Sequence, residues 1–260
     1  QAAIFALIFV YIVAAWFNTR IPHTGVEMRS MRQDPTRSVL ANNLANVSTT
    51  GFRAELQAVR AVPVRGDGAS TRVYALDTTV GYDDSAGPIN FTGRALDVAM
   101  RGKSMLAVQA LDGTEAYTRA GSLVVDAQGN LVTQSGLQVM GDGGPINIPP
   151  NTQPSIAPDG TVSVRQQGGI TTPVGRLKLV TPETKLNRGD DGLFRSPDGD
   201  LPADAVAQLQ DGALEGSNVN PIETMVSMIA AARQFETQMK MMQTAEQDEK
   251  AAAQLLSNAG

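Results

Sequence analysis

The chain has 260 residues, a formal net charge of −5 and no cysteine. A net negative charge does not favour a nucleic-acid-binding surface, and the absence of cysteine excludes disulfides and thiolate metal sites. The only histidine is His23, so zinc and haem chemistry lack their usual ligands. We therefore expect no nucleic-acid partner and no cofactor.

The first seventeen residues, QAAIFALIFVYIVAAWF, are almost wholly apolar. A membrane span needs about 20 such residues, with roughly 17 as the lower limit. Two interpretations stay open for residues 1–17: a short segment in contact with a membrane, or a helix that partner chains bury. The following polar residues include Pro22 and Pro35, so no single helix crosses them. Residues 1–35 therefore form an atypical N-terminal stretch.

A helical pattern begins at about Thr36 and stops at Gly51, so residues 36–60 are predicted to hold the end of an N-terminal helix and a hinge. Its last turns carry amides beside a leucine, and asparagine is a poor helix former. Either these amides cap a frayed helix end locally, or they form a polar face that fixes the register of packed helices. The four residues concerned are Asn42, Asn43, Leu44 and Asn46.

The helix is predicted to end through Gly51 and Phe52. Glycine readily adopts the left-handed conformation that closes many helices, and an apolar residue after it can dock back as the accompanying contact. The residues from Thr49 to Phe52 are thus interpreted as the hinge into the next domain.

The centre of the chain has the pattern of an antiparallel β domain, placed at residues 91–205 and preceded by an extended linker at 61–90. Asp-Gly dipeptides recur beside short apolar runs, and this pairing is a strong hairpin signal. The clearest hairpin is SLVVDAQGNLVTQSG at 122–136. The predicted strands are 95–100, 105–111, 115–121, 122–127, 130–136, 146–150, 161–166 and 174–181.

The C-terminal segment, residues 206–260, is predicted to be helical. Asn220 is a good N-cap and Pro221 fits the first helical position. An apolar seam then steps by three and four residues, as in a coiled coil. The helix expected over 221–257 would be about 55 Å long, so its partner must be another helix from this chain or a neighbour. The seam comprises Met225, Met228, Ala232, Phe235, Met239 and Met242.

Candidate catalytic groups have simpler interpretations. The pairs Asp83–Asp84 and Asp190–Asp191 lie beside glycines and are interpreted as solvated turns. The GDGG at 141–144 lacks the lysine and following helix of a phosphate-binding loop. No histidine is placed to activate a serine nucleophile. The chain is therefore not expected to be an enzyme.

Two terminal motifs resemble those of the flagellar rod and hook proteins, the axial family of the bacterial flagellum. They are ANNLANVSTTGFRAE at 41–55 and GALEGSNVNPIETMVSMIAAARQFETQMKMM at 212–242. RLKLV at 176–180 and DDGLFR at 190–195 favour proximal-rod members, with distal-rod members as the alternative. The resemblance covers roughly residues 36–260, whereas residues 1–35 depart from the family pattern.

The resemblance implies an α+β fold in which long N- and C-terminal helices form a coiled-coil layer and flank the central antiparallel β domain. It implies a structural subunit of the proximal rod, in the periplasmic part of the flagellar basal body, that polymerises by its terminal helices into the shaft transmitting torque. Implied partners are other rod proteins, copies of the chain itself and the flagellar type III export apparatus. A membrane-anchored β-domain binding protein, held by residues 1–17, is the alternative of another class.

The expected assembly interface combines the asparagine motif with the C-terminal helix. It comprises Asn42, Asn43, Leu44, Asn46, Phe52, Asn218, Asn220, Met225, Met228, Ala232, Phe235, Met239 and Met242.

Overall fold

The computed structural model describes residues 35–56, 59–63, 73–77, 81–166 and 168–258. The predictions for residues 1–34 therefore lie outside the described residues. The elements in chain order are α1 Pro35–Ala45, β1 Glu55–Leu56, β2 Val59–Pro63, β3 Val73–Asp77, β4 Gly81–Tyr82, β5 Ile89–Phe91, β6 Val98–Met100, β7 Met105–Gln109, β8 Glu115–Thr118, β9 Leu123–Val125, β10 Leu131–Thr133, β11 Gln138–Gly141, β12 Gly144–Pro145, β13 Gln153–Ile156, β14 Thr161–Arg165, β15 Thr171–Arg176, β16 Leu179–Val180, β17 Asn187–Arg188, β18 Phe194–Arg195, β19 Leu209–Asp211, β20 Ala213–Glu215 and α2 Pro221–Asn258.

The β strands form antiparallel sheets, as the sequence predicted for the centre of the chain. The largest runs β17-β18-β8-β7-β11-β10-β9, with β12 beside β11 and β16 beside β7; a second sheet has the order β13-β14-β15. The main core lies on these two sheets and includes Leu106, Val108 and Val162, none of which is exposed. A smaller cluster contains Tyr82 and Phe194, whose rings meet edge to face with centroids 4.8 Å apart.

The hairpin predicted at 122–136 is present as β9 and β10. Leu131 pairs with Val125, and the Asp126 carboxylate accepts the N–H groups of Gln128 and Asn130 at 2.9 and 2.7 Å. Gly129 between them has a φ of 88°, in the left-handed region that glycine tolerates. The turn is therefore held by local groups, which is why the sequence alone reveals it.

One predicted strand is wrong. Residues 146–150 form a connection, within which only Asn147 makes an isolated bridge. Ile146 and Ile148 are buried in the main core, so their alternation reflects packing of a loop, and the prolines at 149 and 150 cannot donate to a ladder. The strand appears later instead, at Gln153–Ile156.

The helix α1 ends at Ala45, earlier than the predicted Gly51, because a turn takes over at Asn46. The N–H of Asn46 is shared between the carbonyls of Asn42 and Asn43 at 3.1 and 3.2 Å, as at many helix ends. The predicted long N-terminal helix is described only as these 11 residues. Residues 61–90, predicted as an extended linker, contain β3, β4 and β5, and β2 pairs with β3.

The C-terminal helix α2 has 38 residues, about 57 Å at roughly 1.5 Å per residue. The prediction of this helix is confirmed, although its segment begins with strands: β19 pairs with β6 and β20 with β5. Within the described ranges, neither helix is both long and apolar enough to span a bilayer.

Candidate functional site

Three segments of chain meet at one joint between the helices and the β sheets: the segment after α1, the β4–β5 connection and the segment before α2. We call them the crossings of the joint, and the buried carboxylate of Glu215 binds groups from each side of it. Its side chain is fully buried. Arg53, which follows the α1 hinge, donates to Oε1 at 2.5 Å, and the N–H of Gly87 donates to the same oxygen at 3.0 Å. Arg119, which follows β8, donates from Nε to Oε2 at 2.8 Å. One side chain therefore connects the segment after α1, the approach to α2, the β4–β5 connection and the large sheet.

The guanidinium of Arg119 is satisfied on its remaining nitrogens by backbone. It donates to the carbonyls of Gly102, Ser104 and Met100. Burial lowers the pKa of Arg119, and the neighbouring Glu215 opposes that shift. Glu215 is thus the counter-charge for two buried arginines, an arrangement that is costly to break on one side only.

Asn218 forms a second connection across the same joint. Its Oδ1 accepts the N–H of Ala54 at 2.6 Å, and its Nδ2 donates to the carbonyls of Asp83 and Ser85, each at 3.0 Å. The amide was predicted at an assembly interface, and the structure gives it partners within the chain.

The asparagines of the N-terminal motif also have intramolecular partners. Asn43 is buried and pairs with the backbone of Glu55 in both directions: Oδ1 accepts its N–H at 2.8 Å and Nδ2 donates to its carbonyl at 3.0 Å. Asn46 donates to the side-chain oxygen of Asn42 at 2.8 Å and accepts from Thr49 at 3.1 Å. Local capping thus accounts for Asn42 and Asn46, and a tertiary contact with Glu55 accounts for Asn43; a contact between them and a neighbouring subunit stays a prediction.

The predicted hinge at Gly51 and Phe52 has the expected backbone. Gly51 has a φ of 69°, and its N–H donates to the carbonyl of Glu215 at 2.8 Å. Phe52 is buried beneath the guanidinium of Arg188, which lies 4.5 Å from the ring centroid. Arg188 also donates to the carbonyl of Arg53 at 2.8 Å. The phenylalanine is therefore anchored by the β17–β18 hairpin.

A cavity of about 600 Å³ opens beside this hinge, between the end of α1 and the β17–β18 turn. Asp190 and Asp191 line it, but Asp191 is occupied: Arg195 donates to it at 2.7 and 3.1 Å and lowers the pKa of Asp191. No cluster of three or more histidine, cysteine or acidic residues suited to a metal occurs in the part of the chain that the structure describes. The cavity therefore presents a polar surface without a recognisable reaction centre.

The start of α2 is capped as predicted. The Oδ1 of Asn220 accepts the N–H groups of Ile222 and Glu223 at 3.1 and 3.3 Å. Thr224 is buried and donates to the carbonyl of Asn220 at 2.8 Å. The direction in which α2 leaves the joint is therefore defined within its first turn.

Replacing Asn220 with Ala is expected to lower the free energy of unfolding by about 1 kcal/mol, because two N–H groups lose their acceptor. Urea denaturation measures this loss, and Asn220→Ser, which keeps a capping oxygen, is the matched control. Equal losses in the two variants would show that the cap contributes little.

The apolar seam of α2 is partly covered by α1, which packs against it. Met228, Ala232 and Phe235 are half-buried, and the guanidinium of Arg37 lies 5.6 Å from the centroid of Phe235. Leu44 is half-buried on α1, as is Met242 further along α2, whereas Met225 and Met239 are exposed. At the base of α2, one partner of the seam is therefore this chain's own helix.

The charged residues at the centre of the joint were not predicted from the sequence. Arg53 and Glu215 are 162 positions apart, and Arg119 and Glu215 are 96 apart. A weak signal existed, because alternation along Ala213–Glu215 places the glutamate on the same buried face as Ala213.

Comparison with known proteins identifies the families whose models match this chain. Models of three families match separate parts of the chain: flagella basal body rod protein at residues 31–53, flagellar hook protein FlgE/F/G D1 domain at 99–164, and flagellar basal body rod FlgEFG protein C-terminal at 210–255. The first match covers α1 and its hinge, the second covers part of the β sheets, and the third covers the segment before α2 together with most of α2.

Relatives that align with most of the chain are flagellar rod proteins as well. The chain is 46% identical over 232 residues to the flagellar basal-body rod protein FlgF of Salmonella typhimurium, covering 85% of this chain and 92% of the relative. Identity to FlgF of Escherichia coli is 45% with the same coverage. Identity to the flagellar basal-body rod protein FlgG of Bacillus subtilis is 32% over 235 residues, or 80% of this chain and 89% of the relative. The chain therefore belongs to the family of flagellar basal-body rod proteins, and within it is more similar to these FlgF members than to the FlgG member.

Proposed function

We propose that the chain is a structural subunit of the proximal rod that assembles with neighbouring rod subunits through its terminal helices. The observation that carries this proposal is α2 itself: most of its side chains beyond Phe235 are exposed along a helix of 38 residues. A helix of this length gains most of its stability from packing, so neighbours are needed to cover it.

The joint supports a mechanical role. A subunit that transmits torque must carry force between its helices and its outer β sheets without pivoting. Glu215 and Asn218 tie the crossings at 52–55, 83–88 and 215–219 to one another. These contacts oppose pivoting between the helices and the β sheets, and this role requires no covalent chemistry.

The proposed partners are other rod proteins and further copies of this chain. Delivery by the flagellar type III export apparatus belongs to the same proposal. Contact between residues 1–17 and a membrane stays a prediction that lies outside the described residues.

Replacing Met228, Phe235 and Met239 together with Asp is expected to abolish incorporation into basal bodies, because three charges on the seam oppose its burial. The β sheets should stay folded, since none of the three side chains belongs to their core. Immunoblotting of purified basal bodies and circular dichroism of the free chain measure the two effects.

The matched control places the same three charges on another face of the helix, at Ala230, Gln234 and Met241, all of which are exposed. This control should assemble. Normal motility with the seam variant would contradict the proposal.

A further inference from the structure

A second apolar face lies at the base of α2 and shares only Met225 with the predicted seam. Ile222, Met225, Val226 and Ile229 are 73%, 50%, 60% and 54% exposed. Their spacing is i, i+3, i+4 and i+7, so they form one stripe along two turns. We call these four residues the basal stripe.

The chain's own N-terminal helix covers a different side. Met228, Ala232 and Phe235 are the half-buried residues of the seam, and at about 3.6 residues per turn their mean direction lies roughly 100° from that of the basal stripe. Folding of the described chain therefore leaves the stripe open to a partner.

The same face becomes charged above the stripe. Arg233, Glu236 and Lys240 continue its direction along the helix axis, and all three are exposed. None of them takes part in an ion pair between residues that the structure describes. An apolar stripe that continues as alternating charges is the pattern of a helix lying alongside another helix.

We propose that the basal stripe and these charges bind the same face of α2 in a second copy, which runs parallel and is displaced by one helical turn. Such a displacement brings Ile222 beside Val226 of the next copy and Met225 beside Ile229. It also brings Arg233 near Glu236, and Glu236 near Lys240. Without it, each charge would face its own equivalent, which is unfavourable.

This geometry rests on the proposed rod function and specifies the contact. A parallel, displaced contact pairs non-equivalent residues of the two copies, so the pair is asymmetric, and the other faces of each helix stay free for further rod neighbours. The stripe offers a few hundred Å² of apolar surface, below the roughly 800 Å² per partner of a stable pair. The free chain should therefore be monomeric, with the contact forming only where several neighbours bind together.

Disulfide trapping tests the displacement, because the chain has no cysteine of its own. The double variant Ile222→Cys with Val226→Cys, assembled in cells and oxidised in purified basal bodies, should give linked dimers. Val226→Cys alone should give no linked product, since displaced equivalents lie beyond the roughly 7 Å limit between bridged Cα atoms. A linked dimer from the single variant would overturn the proposal, because it indicates an aligned or antiparallel pair.

Charge reversal tests the pairing. Glu236→Lys, which leaves three like charges on the face, should reduce incorporation at least tenfold. Adding Arg233→Glu and Lys240→Glu should restore it. Asp248→Lys makes the same change of charge at an exposed site on another face and should incorporate normally. Equal losses with Glu236→Lys and Asp248→Lys would overturn the proposal.

The two proposals fail in different ways. If the unaltered chain is present in purified basal bodies but the double cysteine variant, also incorporated, gives no linked dimer, the displaced contact is wrong while the rod function stands. If the unaltered chain is absent from basal bodies, the rod function itself fails.

Discussion

Replacing Glu215 with Gln should lower the free energy of unfolding by about 3–5 kcal/mol, because two buried guanidinium groups lose their shared counter-charge. Arg53 and Arg119 are each 2% exposed, so water cannot replace the carboxylate. The substitution conserves the shape of the side chain, so it creates no cavity. A loss of stability can therefore be assigned to charge and hydrogen bonding. Urea denaturation of the purified chain measures the change.

The matched control is Glu246→Gln. Glu246 forms an exposed pair with Lys250 at 2.7 Å, and exposed pairs contribute little because water and salt screen them. This variant should unfold with an unchanged midpoint. If Glu215→Gln behaves in the same way, the carboxylate does not hold the joint.

Hydrogen exchange locates the effect of Glu215→Gln within the molecule. Residues 51–55, 83–88 and 215–219 should lose protection together, because the same carboxylate or the neighbouring Asn218 binds each crossing. The centre of the large sheet, around Leu106 and Val108, should keep its protection. Loss of protection confined to one crossing would mean that the three do not open as a unit.

Replacing Gly51 with Ala should cost at least about 2 kcal/mol, since backbone strain and a steric clash act together. Its φ is 69°, and an added Cβ would lie 2.3 Å from the backbone carbon of Arg119. The clash is with main chain, which cannot rotate away. Accommodating the methyl group would therefore separate the hinge from the segment after β8 that carries Arg119. Thermal unfolding of the purified variant measures the loss.

Gly93→Ala is the control that separates the steric clash from the backbone strain. Gly93 has a nearly equal φ of 72°, but an added Cβ would meet nothing within 4 Å. The cost at Gly93 should be that of the left-handed backbone alone, about 1–2 kcal/mol. The idea of a close approach at the hinge would be wrong if the two variants lost equal stability.

Features that are controlled by neighbouring residues were predictable from the sequence alone. The β9–β10 hairpin follows from the Asp126 and Gly129 pattern, and the start of α2 follows from Asn220 acting on the next N–H groups. The left-handed residue at Gly51 was also predictable, because few other residues adopt that conformation at low cost. In the first two cases, the groups that interact lie within a few positions of one another, and at Gly51 the residue type itself carries the signal.

The roles of the polar residues depend on contacts between distant parts of the chain and were therefore not predictable from the sequence. Asn43 could have faced a neighbour, but the backbone of Glu55 comes within reach and binds its amide. Glu215 meets Arg53 and Arg119 only because the ends of the chain return to one joint. Likewise, the heptad spacing of α2 marks an apolar seam but cannot say which face α1 covers. That choice leaves the basal stripe exposed, because one short helix can bury only one side of another.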